Sequence, residues 1–231
     1  MTLARQLVEE ALALDPHYAG AQAFLANMYI QEVYVGTSKS RRESLDRAEE
    51  LAKKVISSDD SHMNAHRVLS LTYVFNRQYD KALLEAEKSV ALSPSSATAV
   101  FMLGTALAHL DRFEEALPYI KKSLRLSPPN PATGIQNLVT LGNLYRLMGR
   151  YDEAIETYEK ALRLQPDYLH ARVGLTASYV LAGRLEEARS QAAEVIRIAP
   201  QFSLEAYAKM LPLRKEQVDQ VVEVLRKAGL K

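Results

Sequence analysis

Apolar residues recur along the chain at three- and four-residue spacing, which places them on one face of a helix. These faces are interrupted at regular intervals. Alanines stand at Ala4, Ala48, Ala82, Ala116, Ala154 and Ala188, in steps of 44, 34, 34, 38 and 34. A second column, Pro16, Asp60, Pro94, Pro128, Pro166 and Pro200, repeats the same steps. Two independent columns with one spacing define a repeat of 34 residues, and the long steps are insertions of ten and of four.

Further columns show what each repeat is. Leu25, Leu69, Leu103, Leu141 and Leu175 align, each followed by a small residue: Ala26, Ser70, Gly104, Gly142 or Thr176. Three positions on come Tyr29, Tyr73, Leu107, Tyr145 and Tyr179. Small residues belong where two helices approach closely. Gly149 and Gly183 supply the backbone angles that end a helix. The acids after them, as in Gly149-Arg-Tyr-Asp-Glu-Ala154, sit in the first turn of the next helix, where its dipole favours negative charge. The proline column closes that helix. Each repeat is a helical hairpin that buries its apolar face only by stacking on neighbours.

This combination of period, leucine, small residue, tyrosine, alanine and closing proline resembles the tetratricopeptide repeat. The resemblance covers about residues 1–202. It implies an all-α fold: an α-solenoid, a right-handed superhelix of stacked hairpins with a groove lined by the first helix of each pair. The expected organisation is a half repeat at 1–18, carrying a second helix only, then repeats at 19–62, 63–96, 97–130, 131–168 and 169–202. Residues 203–231 are expected to form a C-terminal cap, with a helix over 215–228 that presents Val218, Val221, Val222 and Leu225 on one face and ends at Gly229. The ten-residue insertion lies between Tyr29 and Ala48. It predicts a longer first helix, a turn at Gly36-Thr-Ser-Lys-Ser40 and a second helix opening at Arg41. The four-residue insertion makes Ser127-Pro-Pro-Asn-Pro131, which forbids a continuous helix. Pro118 falls inside a predicted helix.

The tail Phe-Ser-Leu-Glu-Ala-Tyr-Ala-Lys-Met-Leu-Pro212, the segment after Gly36 and the linker following Ser127 are also similar to the C-terminal tetratricopeptide region of bacterial class III adenylate/guanylate cyclases. A tryptophan expected near Gly36 is missing. That resemblance implies a module of a larger bacterial signalling protein. The cyclase catalytic domain is not among these 231 residues, so no cyclase activity is assigned to them.

Composition narrows the chemistry. The chain has no cysteine, which excludes disulfides, thiolate metal sites and a cysteine nucleophile. Its net charge of +1 lacks the broad positive field that nucleic-acid binding needs. No apolar run is long enough to span a bilayer, and the N-terminus is no signal peptide. A cytoplasmic location is therefore expected. There is no phosphate-binding glycine loop, no nucleophile elbow and no HExxH. His62 and His66 share helical spacing but lack an evident third ligand, and Asp59 and Asp60 are expected to cap the following helix. The Glu pairs follow the repeat and read as solvated helix faces. No enzyme activity, cofactor or metal is expected.

By the resemblance, function belongs to the groove. Its expected lining is Asn27, Gln31, Arg67, Phe75, Phe101, Thr105, His109, Gln136, Asn143, Arg146 and His170. Asn27, Arg67, Asn143 and Arg146 do not supply the Lys-and-Asn pairing within one helix that a carboxylate clamp needs. The expected partner is a protein or peptide, anchored by Phe75 and Phe101 with polar groups setting register; the alternative is that these two rings only pack between repeats. The competing reading is self-association through the terminal helices at 1–14 and 215–228.

Overall fold

The structure is a computed structural model that describes residues 3–127 and 131–231. All regular elements among the described residues are helices. They fall into two compact halves that divide between Leu110 and Asp111. The N-terminal half holds α1 (Leu3–Leu14), α2 (Ala19–Tyr34), α3 (Arg41–Ser58), α4 (Met63–Phe75), α5 (Tyr79–Leu92) and α6 (Ala97–His109). The C-terminal half holds α7 (Phe113–Leu126), α8 (Pro131–Leu147), α9 (Tyr151–Leu164), α10 (Leu169–Leu181), α11 (Leu185–Ile198), α12 (Leu204–Met210) and α13 (Lys215–Lys227). In each half consecutive helices pack as antiparallel hairpins, and each hairpin stacks on the next.

The alanine column is the reason the stack closes. Ala48, Ala82, Ala116, Ala154 and Ala188 are fully buried, because a larger side chain there would hold neighbouring helices apart. Hairpin turns are built alike. Gly36, Arg77, Gly149 and Gly183 take positive φ just past the end of a first helix, where the chain must reverse. Asp111 takes the same conformation at the start of the C-terminal half. After Gly149 and Gly183 the next residue is an arginine that lies on the tyrosine column and pairs with an acid three positions on. Arg150 stacks over Tyr145 at 4.6 Å and pairs with Glu153; Arg184 stacks over Tyr179 at 4.7 Å and pairs with Glu187. These glutamates therefore hold the turns.

The insertions have defined fates. Against the 13-residue α4 and 14-residue α5, α2 has 16 residues and α3 has 18, and the rest of the ten extends the loop between them. Ser40 caps α3 by accepting from the Glu43 amide at 3.3 Å. The added turns pack inward: Tyr34 meets Phe75 edge-on at 6.5 Å and Arg41 lies over the same ring at 5.3 Å. The four added residues lengthen α8, whose 17 residues compare with 13 in α10, and Pro131 occupies its first position, where no amide donor is needed. Pro128, Pro129 and Asn130, expected to stiffen that connection, lie outside the described residues. Helix α7 runs through Pro118.

Two expectations need correction. The cap of α4 is His62, whose Nδ1 accepts from the Ala65 amide at 3.3 Å, and not Asp60. Asp59 instead accepts from the Ser61 amide at 2.9 Å, closing the turn before it.

Candidate functional site

The first helices are α2, α4 and α6 in the N-terminal half and α8 and α10 in the C-terminal half. Each half presents a face built from them, and the expected site residues divide between the two.

In the N-terminal half, Arg67 of α4 is half-buried. Its guanidinium donates to Asn27 Oδ1 at 3.0 Å and to Asn64 Oδ1 at 3.4 Å. No carboxylate lies in ion-pair distance among the described residues, and burial lowers its pKa from the ordinary arginine value. Leu71, Phe101 and Thr105 lie half-buried on the same helices, and Gln31 is exposed. Thr105 spends its hydroxyl on the Phe101 carbonyl at 2.9 Å. Two expected lining residues are absorbed by packing. Phe75 is only 6% exposed, beneath Tyr34 and Arg41, so it is core and not an anchor. His109 stacks on Tyr79 with centroids 5.3 Å apart.

His66 belongs to a different environment. It is fully buried, with Nδ1 2.6 Å from Glu85 and Nε2 2.9 Å from the Asp60 carbonyl oxygen. Both ring nitrogens are used, so His66 is a structural bridge. Among the described residues no cluster of three or more His, Asp or Glu side chains could hold a metal ion.

The C-terminal half places Asn143, Arg146 and His170 together with two tyrosines that were not expected. Tyr158 of α9 is fully buried and passes between α8 and α10. A Cβ on Gly142 would lie 2.8 Å from its ring, and one on Gly174 would lie 2.5 Å away. Both glycines are the clearance for this side chain. The Tyr158 hydroxyl thereby reaches the first-helix face and donates to Asn143 Oδ1 at 2.8 Å. Arg146 donates to the same oxygen at 3.5 Å, while its Nε–H is buried without a partner. Gln136 is half-buried on the same helix.

Tyr207 of α12 lies over this group. Its phenol is pushed up to about 12, by burial first and by neighbouring Tyr158 second, with Arg146 pulling the other way. Burial also raises Tyr158 and lowers His170 below its ordinary 6.5. At neutral pH Arg146 is therefore a cation among neutral groups. The His170 ring is 6.3 Å from Tyr207, and Phe202 is 5.7 Å from Tyr207. A large residue on a second helix flanked by glycines on both neighbouring first helices was the legible signal for Tyr158. Tyr207 had no such signal, because the repeat has lapsed there.

Helix α13 completes the arrangement. It packs against α10, with no comparable packing against α11 among the described elements. At its start Arg214 forms an ion pair with Asp111, and Gln217 donates to the same carboxylate at 3.1 Å. At its far end the Lys231 carbonyl accepts from the Leu204 amide at 2.8 Å. Val139, Val173 and Ala177 of the first-helix face in this half are buried.

Comparison with known proteins agrees with this architecture. The tetratricopeptide-repeat family model matches residues 95–167 and 135–201. Human anaphase-promoting complex subunit 7 is 26% identical over 120 residues, 52% of this chain, and the mouse protein matches equally. The chain spans only about a fifth of the length of those relatives. Among solved structures, the tetratricopeptide-repeat protein TTC0263 of Thermus thermophilus superposes with a TM-score of 0.66 at 24% identity, covering 82% of this chain and 96% of that one. The peptide-binding repeat protein YrrB gives 0.55 at 22% identity, covering 88% and 98%. MamA gives 0.56 at 25% identity, covering 69% and 91%. No described helix is long and apolar enough to cross a membrane. Residues 95–201 thus match the tetratricopeptide-repeat family, and the helical hairpins of each half stack in the α-solenoid manner of these solved structures.

Proposed function

We propose that the chain is a non-catalytic scaffold whose first-helix faces each take a peptide or helix from a protein partner. The observation that carries this reading is the treatment of Arg67 and Arg146. Each is a cation on a first-helix face that meets only neutral groups. A buried cation without an acid is costly within one chain and useful to a ligand that supplies one. Half-buried Leu71 and Phe101 add apolar contact beside Arg67. The resemblance to cyclase-linked arrays supports a place beside a signalling enzyme. The test is a selection of peptides against the intact chain. Ligands of the N-terminal half should lose about tenfold in affinity with Arg67→Ala, with helicity unchanged. Ligands indifferent to Arg67, Phe101 and Arg146 alike would sink the reading.

Self-association is a second reading, favoured by α1. Leu3, Leu7 and Leu14 on that helix are 70%, 56% and 89% exposed. Surfaces of this kind seek cover. Sedimentation over a concentration series checks it, and a monomer throughout excludes it.

A further inference from the structure

The first-helix face of the C-terminal half already has an occupant. A helix that continued the stack would pack on both members of the last hairpin, as α10 packs on both α8 and α9. Helix α13 packs on α10 and on α12, with no comparable packing on α11. Its first turn touches Asp111, at the opposite end of the half in sequence. It therefore lies along the first-helix face. Val218, Val221 and Val222 are half-buried there and Leu225 is fully buried. The polar contacts that tie the segment to the rest of the half are those of Arg214 and Gln217 on Asp111, while the Lys231 carbonyl on the Leu204 amide closes the segment on itself. Such contacts are partly solvated and individually weak. Arg146 beneath it is not neutralised. Tyr207 of the segment lies within electrostatic reach of that cation, and a phenol supplies no negative charge.

We infer that residues 203–231 are a built-in, displaceable occupant of this face, and that the partner they give way to is an amphipathic helix carrying a carboxylate for Arg146. The resident segment shows the chemistry the face accepts: an apolar stripe of valine and leucine, entered beside a residue that pairs with Asp111. The orphaned Arg146 Nε–H shows what the resident lacks. A ligand with a glutamate where the chain has Tyr207 gains a charge-assisted hydrogen bond there. Displacement then follows from mass action, since the tethered segment competes only with its effective local concentration. The partner's identity rests on the proposed role of the face in binding, whereas the latch does not.

The latch is tested without any ligand. In the intact chain, hydrogen exchange of α13 amides should be faster than that of α9 and α10. Asp111→Asn keeps a residue that accepts positive φ and removes the ion pair. It should speed α13 exchange several-fold while leaving α9 and α10 unchanged, and Arg214→Gln on the exposed side should do the same. Exchange of α13 as slow as α10 and unmoved by either variant would make it a fixed part of the core and end the proposal.

The partner chemistry is tested with the 15N-labelled intact chain and unlabelled synthetic peptides of residues 203–231. Peptides carrying Tyr207→Glu and the isosteric Tyr207→Gln are compared. The glutamate peptide should release labelled α13 at about tenfold lower concentration, and Arg146→Gln in the chain should abolish that difference. Release by both at one concentration would overturn the carboxylate, and release by neither would overturn displacement.

Discussion

The two halves present the same kind of face and treat one residue differently. Arg67 in the N-terminal half is solvated by its own structure: two asparagine oxygens take its donors at 3.0 and 3.4 Å. Arg146 in the C-terminal half shares a single asparagine oxygen with Tyr158 and leaves Nε–H buried and unpaired. The cause lies in what covers them. On the first-helix face of that half, Leu71 and Phe101 remain half-buried. Around Arg146, Tyr158 rises from below through the clearance of two glycines, and Tyr207 descends from the tail. One repeat chemistry thus gives a satisfied face in one half and an unsatisfied, covered face in the other.

The contrast is broken most severely at Gly174. Valine there places a Cβ 2.5 Å from the Tyr158 ring, so the ring must leave its seat. We expect a loss of about 3 kcal/mol in a transition confined to the C-terminal half, read by chemical denaturation with exchange mapping. Loss spread equally over both halves would contradict the local seat.

In the N-terminal half the corresponding weak point is His66. His66→Ala removes a fully buried bridge and leaves the Glu85 carboxylate with Lys88, at a cost of about 2 kcal/mol. Zinc added to the wild type should change nothing in the melting temperature, since both ring nitrogens are engaged.

The sharpest comparison is a pair of substitutions with opposite signs. Arg67→Met discards two hydrogen bonds and should cost about 1 kcal/mol. Arg146→Met removes a buried donor that has no partner and should be neutral or stabilising by up to about 1 kcal/mol. Equal losses in urea titrations would show that the two environments do not differ as described.

Acidification gives a smaller effect with a defined direction. Burial holds the His170 pKa below 6.5, so the folded chain binds fewer protons there than the unfolded chain. Its contribution is intact above pH 6.5 and is lost as pH falls through the lowered folded value. Stability of the C-terminal half should fall in that window, and His170→Gln should flatten the slope. The smallest change is at Arg77, a non-glycine residue at φ 59°. Arg77→Gly should stabilise the N-terminal half by about 0.5 kcal/mol, and a decrease in melting temperature would refute strain at that turn.

How much of this was legible depends on how local the cause is. The alanine column, the turn glycines and the closing prolines act within one hairpin or between neighbours, so period and residue type carried them. The helix pairs and their order followed. The groove assignments fared unevenly, because position on a first helix does not say what covers it. Phe75 looked like an anchor until the ten-residue insertion placed Tyr34 and Arg41 on its ring. The Asp60 cap failed because His62 stands closer to the helix start and its ring nitrogen takes the amide.

The sequence by itself determined a stack of helical hairpins, since a face repeated every 34 residues is buried most simply by its own neighbours. It also determined which residues could stand on the first-helix faces. Only the tertiary structure decided which of those faces is occupied. The tail has left the repeat, so no column predicts its partner, and its contact with Asp111 joins residues more than 100 positions apart. Chain reversal of that kind is set by shape and burial across a whole half, and these are properties no single window of the sequence contains.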